Sequence, residues 1–131
     1  MKKFLDQFAL TPMQRIDFEG FIFTQAEKML PGYNGGMWRT KKLGNVSILL
    51  LPVDDKTITL NNYAFGGYMT TDHMTASATF SSVVANWYAG LRAEQGRASD
   101  AMLQAVADYS ANLSQAAEKL KNPGEFYRFI D

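Results

Sequence analysis

The segment that starts at Asp72-His73 contains residue types that can act as an acid, a base and a nucleophile. Five hydroxyl residues follow the pair: Thr75, Ser77, Thr79, Ser81 and Ser82. In a Ser–His–Asp site the histidine takes the proton of an attacking hydroxyl. The spacing here lacks the strand–turn–helix signature that exposes such a nucleophile. Because an aspartate also stabilises a helix N-terminus, we expect His73 at the surface of a first helical turn. We expect the hydroxyls on an exposed or closely packed face, with no catalytic residue.

Two further motifs resemble chemical sites but are better interpreted as turns. Asp54-Asp55 could supply carboxylates to a metal or to acid–base catalysis. Adjacent side chains diverge in a hairpin, however, and no other carboxylate shares the segment. The glycine pairs Gly35-Gly36 and Gly66-Gly67 lack the GxGxxG and GxxxxGKS contexts of phosphate loops. We therefore predict turns or bends at these positions and no phosphate site.

The cysteine and histidine content excludes several classes of site. The chain has no cysteine and one histidine, so it can form no disulfide, no thiolate nucleophile and no histidine-rich metal site. We expect the protein to hold no metal and no cofactor, and not to be an enzyme.

Cations beside an aromatic ring raise the possibility of nucleic-acid binding. Arg39, Lys41 and Lys42 follow Trp38, and single-stranded nucleic acids can use such a combination. The same residues are also typical of an edge strand that charge protects from pairing with other chains. Over the whole chain, 13 Lys and Arg balance 13 Asp and Glu. This balance predicts no tight DNA binding and excludes a mimic of DNA charge.

The length and composition predict one domain over residues 1–131. Of these residues 47% are hydrophobic and 20% charged, the profile of a compact fold. The most apolar run, residues 46–53, is much shorter than the roughly 20 residues of a membrane span. Asp6 and Gln7 interrupt the apolar stretch that a signal peptide needs after its first lysines. We therefore expect a cytoplasmic protein with no membrane partner.

Capping residues and apolar spacing predict three long helices. Thr11-Pro12 is a typical helix start for a helix over about 12–30, with Met13 and Ile16 on one side and Phe18 and Ile22 on a broad apolar face beside it. A second helix is predicted over about 73–95, and a third from Ser99 to Leu120. Asn122-Pro123-Gly124 should end the third helix. Residues 125–130 then form a short aromatic turn that packs back on the body.

Strand patterns fill the segment between the first two helices. The predicted strands are residues 37–42, 46–53 and 57–62, with a fourth over 63–69 that Gly66-Gly67 should bend or bulge. Short connections at 43–45 and 54–56 favour an antiparallel meander. The predicted class is therefore α+β: an N-terminal helix, a small antiparallel sheet of three to four strands, two long C-terminal helices and a short terminal turn.

Three segments of the sequence resemble the ArdB/KlcA antirestriction protein family. Residues 33–38, YNGGMW, follow the first helix and open the sheet, like the corresponding element of that family. Residues 61–72, NNYAFGGYMTTD, are similar to a stretch in which Asn and Gly precede a Met, a hydroxyl residue and the Asp that opens a long helix. The helix around Tyr109 and residues 122–131, NPGEFYRFID, resemble the closing pattern. The similarity covers about residues 14–131. Residues 44–52 depart from the pattern, because they keep the Pro but lack the aromatic residues of the second strand.

The resemblance implies a small cytoplasmic inhibitor, typical of plasmids and phages, that protects incoming DNA from type I restriction endonucleases without mimicking DNA. Its partner would be a host defence complex, either the restriction enzyme or an associated factor. Inhibition of another bacterial defence system, such as a CRISPR complex, is an alternative. A small nucleic-acid-binding module and an enzyme centred on His73 are two more. The candidate partner-binding residues lie on predicted turns and the strands beside them: Tyr33, Asn34, Trp38, Arg39, Asp54, Asp55 and Tyr68.

Overall fold

A computed structural model describes residues 1–62 and 67–130 of the chain. The α+β class is confirmed, with α-helices at both ends and four strands between them in the described part. In chain order the elements are α1 (Lys2–Leu5), a 3₁₀ turn (Asp6–Phe8), α2 (Pro12–Met29), β1 (Arg39–Leu43), β2 (Val46–Leu50), β3 (Thr57–Asn62), β4 (Gly67–Asp72), α3 (His73–Glu94), α4 (Asp100–Ala116), a second 3₁₀ turn (Ala117–Lys119) and α5 (Pro123–Ile130). None of the helices described is both long and apolar enough to span a membrane.

The predicted capping residues begin the three long helices. The Thr11 hydroxyl accepts from the Gln14 amide at 3.2 Å, and the Gln14 side chain accepts from the Thr11 amide at 2.9 Å. This reciprocal pair satisfies two of the backbone donors left free at a helix start. The Asp72 carboxylate caps α3 and the Ser99 hydroxyl caps α4 in the same way. The helix starts therefore follow directly from local sequence.

The strands form two separate hairpins, so the prediction of one meander is wrong. β1 pairs antiparallel with β2, and β3 with β4, but β2 and β3 are unpaired within the described residues. The reason lies in α3, where Ser81 and Ser77 accept hydrogen bonds from the backbone amides of Leu49 and Leu51 at 2.8 and 3.1 Å. These hydroxyls occupy the edge of β2 that a third strand would need. Residues 54–56 are consequently a connection between two sheets and not a hairpin turn.

The fourth strand lies later in the chain than predicted. β4 begins at Gly67 and ends at Asp72, directly before α3. The part of the prediction that falls on residues 63–66, including Gly66, lies outside the described residues. Burial alternates along β3, where Ile58, Leu60 and Asn62 face inward.

α2 is rotated so that only part of the broad apolar face predicted for it is buried. Met13 and Ile16 are 77% and 72% exposed, whereas Phe18 and Ile22 are fully buried. An ion pair fixes this rotation: Asp17, beside Phe18, bonds Arg92 of α3 at 2.7 Å. The exposed residues lie on the opposite side of the helix, so apolar spacing alone could not identify the buried face.

The first eight residues complete the core, which the sequence did not predict. Phe4 of α1 and Phe8 of the 3₁₀ turn are fully buried. Their ring centroids lie 5.0 Å apart, and each packs edge-on or tilted against Phe18 and Tyr109 at 4.9–5.8 Å. Edge-to-face aromatic pairs of this kind contribute about 0.5–1.5 kcal/mol beyond their burial. The N-terminal segment thus joins α2 to α4.

The C-terminal segment is a helix of eight residues, longer than the single turn predicted. Pro123 begins α5 and does not simply end the helix before it, because Pro lacks only an amide that the first helical turn leaves unbonded. Phe126 is buried, and the Tyr127 hydroxyl donates to the Ser114 carbonyl at 2.8 Å. These contacts hold α5 against α4.

Tyr88 joins α3 to α2 through both its ring and its hydroxyl. The ring stacks on Phe18 with centroids 4.2 Å apart, and the hydroxyl donates to Asp17 at 2.7 Å. Hydrogen bonds from Arg92 lower the pKa of Asp17 and outweigh its partial burial. Burial and the nearby Asp17 carboxylate raise the pKa of Tyr88 to about 12.

Tyr88→Phe should lower the free energy of unfolding at pH 7 by about 1–3 kcal/mol, because it removes a hydrogen bond to a charged group but keeps the ring stack. An unfolded tyrosine has a pKa of about 10, below the folded value. The Tyr88 contribution is therefore complete below pH 10 and is lost as pH rises from 10 to 12. Urea unfolding of both proteins should show a difference that shrinks over this interval; a difference independent of pH would contradict the assignment.

Candidate functional site

A recess of about 380 Å³ opens between the start of β1, the end of β2 and the start of α3. We call it the β1–α3 cleft. Its lining is Met37, Arg39, residues 50–54 and His73. Met37 is 75% exposed, and both Arg39 and Asp54 are exposed. The lining of the cleft therefore combines an exposed apolar side chain with a cation and an anion.

Backbone geometry at Gly35 and Gly36 brings Met37 to this position. Their φ angles are +94° and +116°, a region that side chains other than glycine rarely enter. A Cβ on Gly36 would lie 3.3 Å from the Pro52 Cβ. The positive φ angles fit a backbone that favours glycine, but the turn itself lies at residues 31–32 and not at this pair. The pair passes close to Pro52 in the second wall of the cleft.

Trp38 lies between the cleft-lining residues Met37 and Arg39 in the sequence, and its ring packs against Tyr33 in an aromatic cluster. The Trp38 ring stacks on Phe80 of α3 at 5.7 Å, and Tyr33 and Phe23 pack against it at 5.9 and 6.4 Å. Both predicted contact residues are half-buried. Because Phe80 already stacks on the Trp38 ring, this ring is poorly placed to stack on a nucleotide base. The described part of the chain also offers no acceptor to its buried indole N–H.

The structure brings some of the predicted contact residues together and separates others. Arg39 and Asp54 line the cleft. Asp55 is exposed directly after Asp54, and Asn34 is exposed three positions before the lining residue Met37. Tyr68, 77% exposed on β4, instead borders a recess with Asn62 and Phe129. Tyr68 is therefore not part of the cleft.

His73 is held by the backbone of β2, so the expectation of a simple surface residue is wrong. Its Nε2–H donates to the Leu51 carbonyl at 2.9 Å, and its Nδ1 accepts from Ser77 Oγ at 3.4 Å. Ser77 Oγ in turn accepts from the Leu51 amide. The two side chains thus bond both backbone polar groups of Leu51, the residue directly after β2, which fixes the end of the strand against α3.

Asp72 lies apart from the base, and Ser77, the hydroxyl that does contact the His73 ring, is buried away from any substrate. Asp72 accepts from the Thr75 amide at 3.1 Å and from the Asn122 side chain at 2.8 Å, with no bond to the His73 ring among the described residues. Burial raises the pKa of Asp72, but the hydrogen bonds it accepts outweigh that effect and lower it overall. Ser77 is fully buried. The hydroxyl face of α3 is closely packed, one of the two arrangements predicted, and serves to anchor β2.

His73→Ala should lower the free energy of unfolding by about 1–3 kcal/mol, because the buried Leu51 carbonyl loses its donor. Although His73 lines the cleft, activity per folded molecule should be nearly unchanged, since both ring nitrogens are bonded within the chain and not available to a partner. Urea unfolding and the activity assay described below measure the two effects. A variant that folds normally but loses activity would instead support chemistry at His73.

Sequence reasoning missed Met37 and residues 50–53 of the cleft. Met37 belongs to the YNGGMW segment and directly follows Gly35 and Gly36. Its place after this glycine pair was the sequence feature that could have identified it. The wall at residues 50–53 appeared in sequence only as strand interior. No group of three or more acidic or histidine side chains lies close enough to hold a metal ion in the described ranges.

Comparisons with known proteins add no relative from which a role for the cleft could be taken. No family model matches the chain, and no curated protein matches it.

Proposed function

We propose that this protein is an antirestriction protein that inhibits type I restriction endonucleases by binding a protein of the host defence system. The β1–α3 cleft would be the contact surface. The proposal rests on the resemblance of residues 33–38 to the ArdB/KlcA family, together with the position of Met37 and Arg39 at that cleft. Such an inhibitor acts without catalysis and in the cytoplasm.

The surface chemistry of the cleft supports a protein partner. Met and Arg are enriched in protein interfaces, and here Met37, Arg39 and Asp54 line the same concave surface. A partner could cover the Met37 side chain and pair with both charges, which would fix its orientation. Proteins satisfy this combination of apolar and oppositely charged groups better than nucleic acids do.

Direct DNA binding is the weaker candidate. The chain carries no net charge, and Trp38 is stacked on Phe80. Salt-dependent phosphate contacts would rest on Arg39, Lys41 and Lys42 alone, which release few counterions. We therefore propose that inhibition does not proceed through tight binding of free DNA.

The plating efficiency of unmodified phage tests the proposed function. On a host with an active type I system, expression of this protein should raise plating toward the level on a non-restricting host, while modification of progeny DNA continues. Unchanged plating across several type I families would refute antirestriction by this route. Recovery in a host with a CRISPR system alone would favour the alternative defence target.

A further inference from the structure

A second recess, of about 390 Å³, lies where α3, α4 and α5 meet. Its volume is in the range of small-molecule sites, and none of its lining residues is shared with the β1–α3 cleft. Apolar side chains supply part of the wall: Val83, Trp87, Phe129 and Ile130. We call it the helix-junction pocket.

Asn62 is the unusual residue of this pocket. It is the last residue of β3, in register with the buried Ile58 and Leu60, and is only 7% exposed. Its Oδ1 atom is buried and receives no hydrogen bond from the described residues. A buried acceptor without a donor costs about 1–3 kcal/mol. A core-facing carboxamide that also lines a recess therefore points to a ligand that can satisfy it.

The remaining polar groups hold the pocket in shape. Asn86 Nδ2 donates to Ser110 Oγ at 2.9 Å, and Ser110 Oγ is 3.1 Å from Asn86 Oδ1. This contact joins α3 to α4. The bond from Tyr127 to the Ser114 carbonyl joins α4 to α5. Because both helix contacts are already bonded, a ligand would meet a preformed site.

The lining also limits the charge of the ligand. Among the described residues no charged side chain lines the pocket. Arg128 borders the adjoining recess that shares Asn62, but it is paired with Glu125. An ion transferred into such a site would lose its hydration without gaining an opposite charge, which is costly. The ligand must therefore be neutral.

We propose that the helix-junction pocket binds a neutral, planar compound that carries an amide-like edge, with an N–H donor beside a carbonyl acceptor. Rotation of the Asn62 carboxamide about its last bond exchanges its oxygen and nitrogen, so this side chain can meet either half of such an edge. The planar body packs against Trp87 and Phe129. This site is separate from the proposed defence partner and does not depend on it.

Benzamide is the probe, titrated into the labelled full-length protein and followed by NMR. The Trp87 indole N–H and the Asn62 side-chain amide should shift saturably, while the Trp38 indole N–H should not. Benzoate and benzamidinium should bind at least about tenfold more weakly, since each adds a charge to the same ring. Uracil presents the same edge on a nucleobase, and its affinity relative to benzamide distinguishes a base from an aromatic amide as the natural source.

Two variants test the location of the ligand. Asn62→Leu keeps the size of the side chain and should weaken benzamide roughly tenfold, the equivalent of one lost hydrogen bond. Ala111→Trp places a bulky ring at an exposed lining position on α4 and should abolish the shifts. Ala101→Trp, exposed on the same helix but outside the lining, is its control. Absence of saturable shifts, or binding that Ala111→Trp leaves unchanged, would overturn the proposal.

Discussion

Phe8→Ala should lower the free energy of unfolding by about 3–5 kcal/mol, the range measured for large aromatic truncations in protein cores. Phe8 is fully buried, and its ring centroid lies 4.9–5.6 Å from the ring centroids of Phe4, Phe18 and Tyr109. These neighbours come from three different elements, so they cannot all move to fill the space that the ring leaves. The truncation should therefore leave a cavity in addition to losing apolar burial.

Urea unfolding at pH 7 measures this effect, and Ile16→Ala provides the matched control. Ile16 is 72% exposed, so its truncation should change stability by no more than about 0.5 kcal/mol. A loss below about 1 kcal/mol for Phe8→Ala would mean that the N-terminal segment is not part of the core.

The double variant Ser77→Ala, Ser81→Ala should lower the free energy of unfolding by about 2–6 kcal/mol. Each substitution leaves one buried backbone amide without an acceptor, that of Leu49 in β2 or that of Leu51 directly after it, at about 1–3 kcal/mol for each group. The amides of Leu49 and Leu51 should also exchange with solvent faster than those of Val46 and Ile48, which face β1. Hydrogen exchange thus separates this mechanism from a general loss of stability.

Ser114→Ala is the control for that double variant. Ser114 lies on α4, is half-buried and also loses a hydroxyl to a better helix former. Its substitution removes no acceptor from a strand, so stability should be unchanged or slightly higher. Equal losses in both experiments would contradict the anchoring role of the α3 hydroxyls.

The fold was predictable where the information is local. Thr11, Asp72 and Ser99 begin helices because their side chains bond amides within the next three residues. Gly35 and Gly36 have positive φ angles that only glycine adopts easily. In each case the local structure is determined by residues only a few positions apart, so the sequence alone was enough to predict it.

The pairing of the strands was not predictable in this way. Whether β3 joins β2 depends on Ser77 and Ser81, which lie more than 20 positions after β2 in the sequence. The rotation of α2 likewise depends on Arg92, which is 75 positions from Asp17. Local spacing of apolar residues does not report either contact, so it predicts a broad apolar face that includes the exposed Met13 and Ile16 together with the buried Phe18 and Ile22.

Some features of the candidate site were predictable from local sequence, and others depend on contacts between distant residues. Arg39 and Asp54 were identified as exposed groups on a short strand and a turn, and they meet at one cleft. Tryptophan is a residue type typical of interfaces, but the ring of Phe80, 42 positions later in the sequence, stacks on the Trp38 ring. Tyr68 shares the exposure of the others, yet the β3–β4 hairpin places it at a different recess. It was therefore easier to predict which of these side chains are exposed than which of them lie close together.

The most direct test of the account compares Met37→Asp with Met13→Asp in the phage plating assay. The two methionines are 75% and 77% exposed, so the substitutions should have similar effects on stability, which urea unfolding can verify. Met37 lines the β1–α3 cleft and Met13 does not. We expect Met37→Asp to lose relief of restriction and Met13→Asp to keep it. Full relief by a folded Met37→Asp protein, or equal loss in both variants, would contradict the assignment of function to the cleft.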